Sequence, residues 1–367
     1  MVNEGVQAGQ RELEAKVLQT GLCTGCGACV NLCPYQAAYR DRVVTLHHCD
    51  LARGQCYDYC PVIPADTEAL QRLWHAGDEW TPEAGLVAGF YITRAADEAI
   101  RHRAQHGGTV SALIALALRE GLIDAAVLAG AGEGLLPQSV TVNDPEAALR
   151  LGKSRFVVAP TVAEFNRVSR TDCRRIGVVA TPCQALALAK MRAQPVTDAQ
   201  GGIGKLRLVV GLFCGWALSW PALKALIGGK MPIDDVTGMD IPPSRYHTLE
   251  VQTAGGIDRI SLDEVNDCVR PSCRACADMT AEFSDLSVGS ARLPEGWEEA
   301  RRWNQVIVRS KQGSELMDLA RRRGVLEFRE VPAGNLDRLK AAALNKKKAA
   351  AGRAEARPIP AAQTGRN

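Results

Sequence analysis

The sequence predicts an α/β chain, α+β overall: a small cysteine-rich module preceding a mixed, mostly parallel sheet layered with helices. Three observations predict it. Seven of the thirteen cysteines fall within residues 23–60. Beyond them, short apolar runs bounded by turn residues alternate with helical stretches, the rhythm of a parallel sheet with crossover helices. The chain has 367 residues, 46 % apolar and 23 % charged, enough for two domains or for one large domain with an appended module.

Residues 1–62 read as the first unit. "CTGCGACVNLCPY", from Cys23 to Tyr35, has the spacing C-x2-C-x2-C-x3-C-P, the bacterial ferredoxin run with its closing proline. Three thiolates two residues apart, on a loop whose tight backbone Gly25 and Gly27 permit, wrap one cubane. The fourth, Cys33, faces away toward a neighbouring cluster. Zinc sites show two separated C-x2-C pairs or include histidine, so the run reads as iron–sulfur. The odd cysteine count argues against a disulfide framework. "MVNEGVQAGQ" lacks the basic start and apolar run of a signal peptide, so a cytoplasmic location is expected, where disulfides are disfavoured.

The second half of this unit is less regular. "CDLARGQCYDYCP" repeats the C-x3-C-P ending, but Arg53 stands where a thiolate should lie and Cys49 is one residue out of register. By the crossing rule, cluster one takes Cys23, Cys26, Cys29 and Cys60, and cluster two has Cys33, Cys49 and Cys56. The second is then a 3Fe-4S cluster, a 4Fe-4S cluster completed by Asp50, His47 or His48, or absent; the spacing leaves these open.

Residues 63–90 read as a packed linker of loop and short helix. The body follows over 91–335. In "HGGTVSALIALALREGLIDAAVLAG", Gly107 and Gly108 make a loop, Thr109 to Glu120 a helix ended by Gly121, and "IDAAVLAG" a buried strand. "RIGVVATPC" and "KLRLVVGLF" are further strands, each followed by a helical stretch. "TLEVQT" and "GIDRISL" form a hairpin, and "NQVIVRS" with "GSELMDLARRRG" one more strand and helix. Strand ends in an open α/β sheet converge on one crevice. Cys183 and Cys214, each just beyond an apolar strand, are therefore the best partners for the C-x2-C pair Cys273 and Cys276. Cys268 is a weaker candidate, and Cys173, beside Arg174 and Arg175, reads as a surface thiol. The helix opened by Gly107, Gly108 and Thr109 offers free N–H groups to an anion, and Lys153 and Ser154 of "GKSRF" reach toward a phosphate or flavin ring. A Gly-Gly before a helix is more often only a turn. There is no G-x-G-x-x-G after the first strand, no Walker A and no H-E-x-x-H. His247 and His102 read as surface or packing residues.

The formal charge is +3, but residues 341–367 carry six cations against Glu355 alone, so the rest of the chain sits near −2. The basic bias belongs to the tail and describes no nucleic-acid groove. Residues 336–367, rich in Ala, Lys, Arg and Pro, are expected to be disordered. No run of 18 apolar residues suggests a membrane span.

The phrases "CTGCGACVNLCP", "HGGTVSALIALALREGLIDAAV", "SRFVVAPT", "VVATPCQALAL", "VVGLFC" and "CRACADMTAEFSDLSVG", in this order over roughly residues 20–330, resemble one family: the coenzyme F420 hydrogenase/dehydrogenase beta subunits, which include ferredoxin-dependent chlorophyll-pathway reductases. The resemblance implies a ferredoxin-like iron–sulfur module on a flavin-binding α/β domain, with FAD and two or three iron–sulfur clusters. By it, Gly107, Gly108, Thr109 and Ser111 line the flavin site, and Lys153, Ser154, Thr181, Pro182 and Gln184 lie near it. Lys153 would stabilise the anionic reduced flavin. Cys183, Cys214, Cys273 and Cys276 hold a cluster close to the flavin. The implied function is an oxidoreductase subunit in a hetero-oligomer. It relays electrons between the clusters of a redox partner (formate dehydrogenase, hydrogenase large subunit or ferredoxin) and a small two-electron carrier. Two other readings stand beside it: a stand-alone ferredoxin-dependent reductase of an organic double bond, and a non-enzymatic iron–sulfur scaffold, against which the "HGGT" and "TPCQ" phrases argue.

Overall fold

A computed structural model describes residues 8–74, 80–195, 202–243 and 246–356. The N-terminal module opens with α1 (Gln10–Leu13), continued by a π-helical turn, Glu14–Leu18. The hairpin of β1 (Gln36–Tyr39) and β2 (Arg42–Thr45) and the short α2 (Gln55–Asp58) complete it. Its small core packs Leu13, Val17, Val30 and Val43 around Cys29 and Cys60. A module of this size buries too little to stand firmly alone, and it is fastened to the body. Gly27 adopts φ +82°, and a Cβ there would lie 2.7 Å from the Cβ of Ala163, so only glycine lets the cysteine loop approach the body this closely.

The connection contributes α3 (Thr67–Trp74) and the two-residue strands β3 (Trp80–Thr81) and β4 (Gly85–Leu86); residues 75–79 of the expected linker lie outside the described residues. The body then runs β5 (Gly89–Ala95), α4 (Glu98–Arg103), α5 (Thr109–Arg119), β6 (Ala125–Gly130), β7 (Gln138–Val142), α6 (Pro145–Leu149), α7 (Thr161–Val168), β8 (Ile176–Ala180), α8 (Pro182–Ala193) and β9 (Leu206–Leu212). After α9 (Trp220–Gly228) come β10 (Val236–Asp240), β11 (Thr248–Thr253), β12 (Gly256–Ser261), α10 (Leu262–Asn266) and α11 (Pro271–Arg274). The chain closes with β13 (Leu286–Ser290), α12 (Trp297–Ala300), β14 (Asn304–Val308), α13 (Lys311–Arg322), β15 (Leu326–Arg329) and α14 (Asn335–Ala356).

Eight strands form one mixed sheet in the order β15-β5-β14-β13-β9-β8-β6-β7. The central β13, β9, β8 and β6 run parallel. β14 is antiparallel to β13 and β5 antiparallel to β14, so five of the eight strands point the same way. The β8 run "IGVVA" is buried throughout, as expected of a strand covered on both faces. On one face the sheet packs against α5 and α13 through Leu113, Leu116, Leu316 and Met317. On the other it packs against α7 and α8 through Val162, Phe165, Leu188 and Met191. The helix expected over Thr109–Glu120 is α5, and Gly121 with φ +63° ends it. The hairpin is β11 and β12, extended by β10 into a three-stranded sheet.

The C-terminal tail departs from expectation. Residues 335–356 form a 22-residue helix, α14, and only 357–367 of that segment lie outside the described residues. Alanine, lysine and arginine are strong helix formers. Leu339, Ala343 and Ala350 are buried against the body, so a segment too polar to fold by itself has a surface to fold upon.

Candidate functional site

All thirteen cysteines are free thiols, and eleven fall into three groups. In the first, burial pushes the Cys29 thiol well up, and Cys26, Cys23 and Cys60 push it further. In the second, burial and then Cys33 raise Cys56 to about 11, with Cys49 adding to it. In the third, burial raises Cys214, and Cys273, Cys183 and Cys276 all act on it in the same direction. The first two groups hold the thiols that the crossing rule assigns, without a sharp division among the three, since Cys183 acts on Cys26 ahead of Cys60. The third joins the two strand ends to the C-x2-C pair. β8 and β9 are parallel neighbours, so the Cys183 turn and the Cys214 loop leave the sheet side by side.

The groups adjoin one another. Cys56 of the second acts on Cys29 of the first, and Cys183 of the third acts on Cys26 of the first. The Thr24 side chain acts on both thiols, lowering Cys26 and Cys183 against the effect of burial. Buried thiolates without compensating charge are costly. Iron–sulfur clusters supply that compensation, and the donor set fits them. Among the described residues, no three Cys, His, Asp or Glu close on a single ion. Ligands of one zinc would crowd together at ~2.3 Å from the metal, whereas cubane thiolates each take a different iron.

Each group is positioned by contacts that the sequence reading missed. Arg270, between Cys268 and Cys273, donates to the Asp41 carboxylate and, at 2.6 Å, to the Cys23 carbonyl. The Asp41–Arg270 pair is buried on both sides. Asn166 Nδ2 donates to the carbonyls of Ala28 and Val30. Lys190, on α8, donates to the carbonyls of Cys60 at 2.6 Å and Ile63 at 2.8 Å; burial lowers its ammonium pKa to about 8. In the second group, buried Gln10 accepts from the Cys49 N–H at 2.6 Å and donates to the His47 carbonyl. The candidate fourth ligands all lie at the surface. Asp50 is 93 % exposed and pairs with Arg11, His48 lies beside Glu14, and the His47 ring packs edge-on to Tyr35. The group has three cysteines, of which Cys33 is exposed.

In the third group, Thr181 Oγ1 lies 3.3 Å from Cys183 Sγ, and Lys346 of α14 donates to the carbonyls of Cys214 at 2.8 Å and Asp278 at 2.7 Å. Cys268 is buried in an apolar cluster against which Cys273 also packs, and Cys173 packs half-buried against the sheet core.

The residues expected at a flavin divide. Lys153 lines a cavity of about 270 Å³ with Arg103, Arg150 and Arg155, at the end of β6 where Gly130 lies. Ser111 and Ser154 are adjacent to that wall: a Cβ at Gly152 would meet Ser111 Oγ at 3.3 Å, and the Ser154 N–H donates to Gln105. At the start of α5, part of the expected anion site is occupied by the chain's own groups. The Thr109 N–H is taken by Asn304 Oδ1 at 3.1 Å and its hydroxyl pairs with Thr93. Gly107 is walled in by Asn304 and Arg94, and Gly108 by Ile100 and Ala95. Gln184 caps Thr181 and donates to the Ala159 carbonyl at 2.6 Å; with Pro182 in the first turn, these residues build the start of α8. Among the described residues, no helix is long and apolar enough to cross a membrane.

Comparison with known proteins agrees with this geometry. Residues 90–164 match the N-terminal model, and residues 173–333 the C-terminal model, of the coenzyme F420 hydrogenase/dehydrogenase beta subunit; residues 17–39 match a 4Fe-4S binding domain. The coenzyme F420 hydrogenase subunit beta of Methanococcus voltae is 28 % identical over 65 % of this chain and 82 % of its own. An F(420)H(2) dehydrogenase subunit of Methanosarcina mazei is 26 % identical over 88 % of each chain. A chain of the F420-reducing [NiFe] hydrogenase complex of Methanosarcina barkeri superposes with a TM-score of 0.70 at 26 % identity, covering 79 % of this chain and 98 % of that one.

Proposed function

Since this chain belongs to the family of coenzyme F420 hydrogenase/dehydrogenase beta subunits, oxidoreductase components, and carries a 4Fe-4S binding domain, we propose that it is an electron-relay subunit with three clusters in series and an FAD. The observation that carries this reading is that thiols of neighbouring groups influence one another electrostatically, Cys56 on Cys29 and Cys183 on Cys26. Electrons would then pass from the end at the exposed Cys33 toward the carboxyl edge of the sheet. A redox partner, dehydrogenase, hydrogenase or ferredoxin, would dock at the Cys33 end within a hetero-oligomer, as the relatives' names suggest.

FAD would lie at the carboxyl ends of β6 and β8. The cavity lined by Arg103, Arg150, Lys153 and Arg155 suits its diphosphate, since clustered guanidinium and ammonium groups favour that dianion. A bound flavin supplies the exchange between one-electron clusters and a two-electron carrier. The chain's own groups bind and orient it.

The test is anaerobic purification with iron, sulfide and flavin quantitation. About twelve irons per chain mean three four-iron clusters and about eleven a three-iron second cluster. Finding no flavin sinks the relay. In a Cys33→Ala variant, the second cluster should be lost or weakened while the first keeps its electron paramagnetic resonance (EPR) signal. Loss of the first signal would overturn the crossed assignment.

A further inference from the structure

Helix α14 begins at Asn335, just beyond residue 333, where the family model ends. Its side chains nevertheless reach the third cysteine group. Lys346 is half-buried, and its ammonium donates to the carbonyl of Cys214, in the loop after β9, and to that of Asp278, two residues after Cys276. These loops carry different parts of the cysteine set, one the strand-end thiol and the other the C-x2-C pair. The single lysine bridges them across 132 and 68 residues of sequence. Its neighbours fasten the helix in place: Lys347 pairs with buried Glu282 at 2.5 Å, and Arg353 donates to the Arg274 carbonyl at 3.1 Å. Residues 346 and 353 are seven apart, on one face of the helix. With Ala349 between them, they line a cavity of about 250 Å³ together with Cys273 and Cys276.

We propose that α14 is a working wall of the third cysteine site, and that Lys346 is a positioning residue that ties its two ligand loops together and raises the electron affinity of the cluster they hold. This rests on reading that group as a cluster site. Four thiolates give a cluster site a net negative charge, and cluster potentials follow net charge, hydrogen bonding and solvent exposure. A cation fixed at the ligand loops in a half-buried setting is screened less than one in water, so it stabilises the added electron. The tail that composition alone marks as surplus basic charge thus completes the site.

The experiment is an EPR-monitored redox titration of the anaerobic full-length holoprotein, with iron and sulfide quantitation. The signal lost in Cys273→Ala identifies the third cluster. In Lys346→Met, the ratio of reduced to oxidised third cluster at a fixed potential should fall about tenfold, which is ~59 mV for a one-electron couple. Lys346→Arg should hold near the parent value, and so should Lys348→Met, which removes an exposed lysine of the same helix. Loss of the third cluster's iron in Lys346→Met but not in Lys346→Arg also supports the tie. An unshifted potential at full iron content in Lys346→Met overturns the inference, as do equal effects of Met and Arg. A parent protein with no signal sensitive to Cys273→Ala instead overturns the cluster reading beneath it.

Discussion

Replacing Asp41 by alanine is expected to lower the chain's stability by about 3–5 kcal/mol, the cost of stranding one half of a buried ion pair. Asp41 and Arg270 have side chains only 9 % and 7 % exposed. The carboxylate also accepts the Trp220 N–H at 2.9 Å, at the start of α9. Without it, the Arg270 guanidinium stays buried with its charge uncompensated, keeping its donation to the Cys23 carbonyl. The damage falls on the joint between module and body, because the pair spans 229 residues. Denaturant unfolding of Asp41→Ala, Arg270→Met and the double variant measures it. The double variant should be more stable than Asp41→Ala, since removing both charges leaves none unpaired. An Asp41→Ala protein within about 0.5 kcal/mol of the parent, as for an ordinary surface change, would show that the pair does not fasten the module.

Replacing Cys26 by alanine should have the largest effect on function. Cys26 is buried and lies where the first group meets the third through Cys183. The variant is expected to lose about four irons per chain, one 4Fe-4S cluster, to retain its flavin, and to lose flavin reduction by the partner protein. Direct chemical reduction of the flavin should persist, because the cavity near Lys153 is built from other elements. Metal analysis and anaerobic stopped-flow absorbance separate these outcomes. Partner-driven reduction at the parent rate would mean that electrons enter by another route.

Much of this was legible in the sequence because ligand spacing is a local property. C-x2-C-x2-C-x3-C-P can be read without a fold, and an apolar run such as "IGVVA" is a strand wherever it is buried. The expected pairing of Cys183 and Cys214 with Cys273 and Cys276 needed one topological rule, that parallel strands end on one side. Which N–H groups stay free at Gly107, Gly108 and Thr109 was not legible, for the opposite reason. Asn304, which takes the Thr109 N–H, lies 195 residues away, and no local pattern announces a plug of that kind.

The sequence by itself determined the family, the sheet's rhythm and which cysteines are candidate cluster ligands, because these depend on residues within a turn or two of one another. Tertiary structure alone decided that the cysteine groups adjoin one another, that Asp41 and Arg270 pair across module and body, and that the basic tail is a helix reaching the loops of Cys214 and Asp278. Those facts rest on buried contacts between residues far apart in the chain. The helix shows this most plainly: its lysines read as solvated charge until the carbonyls of Cys214 and Asp278 are in place to receive one of them.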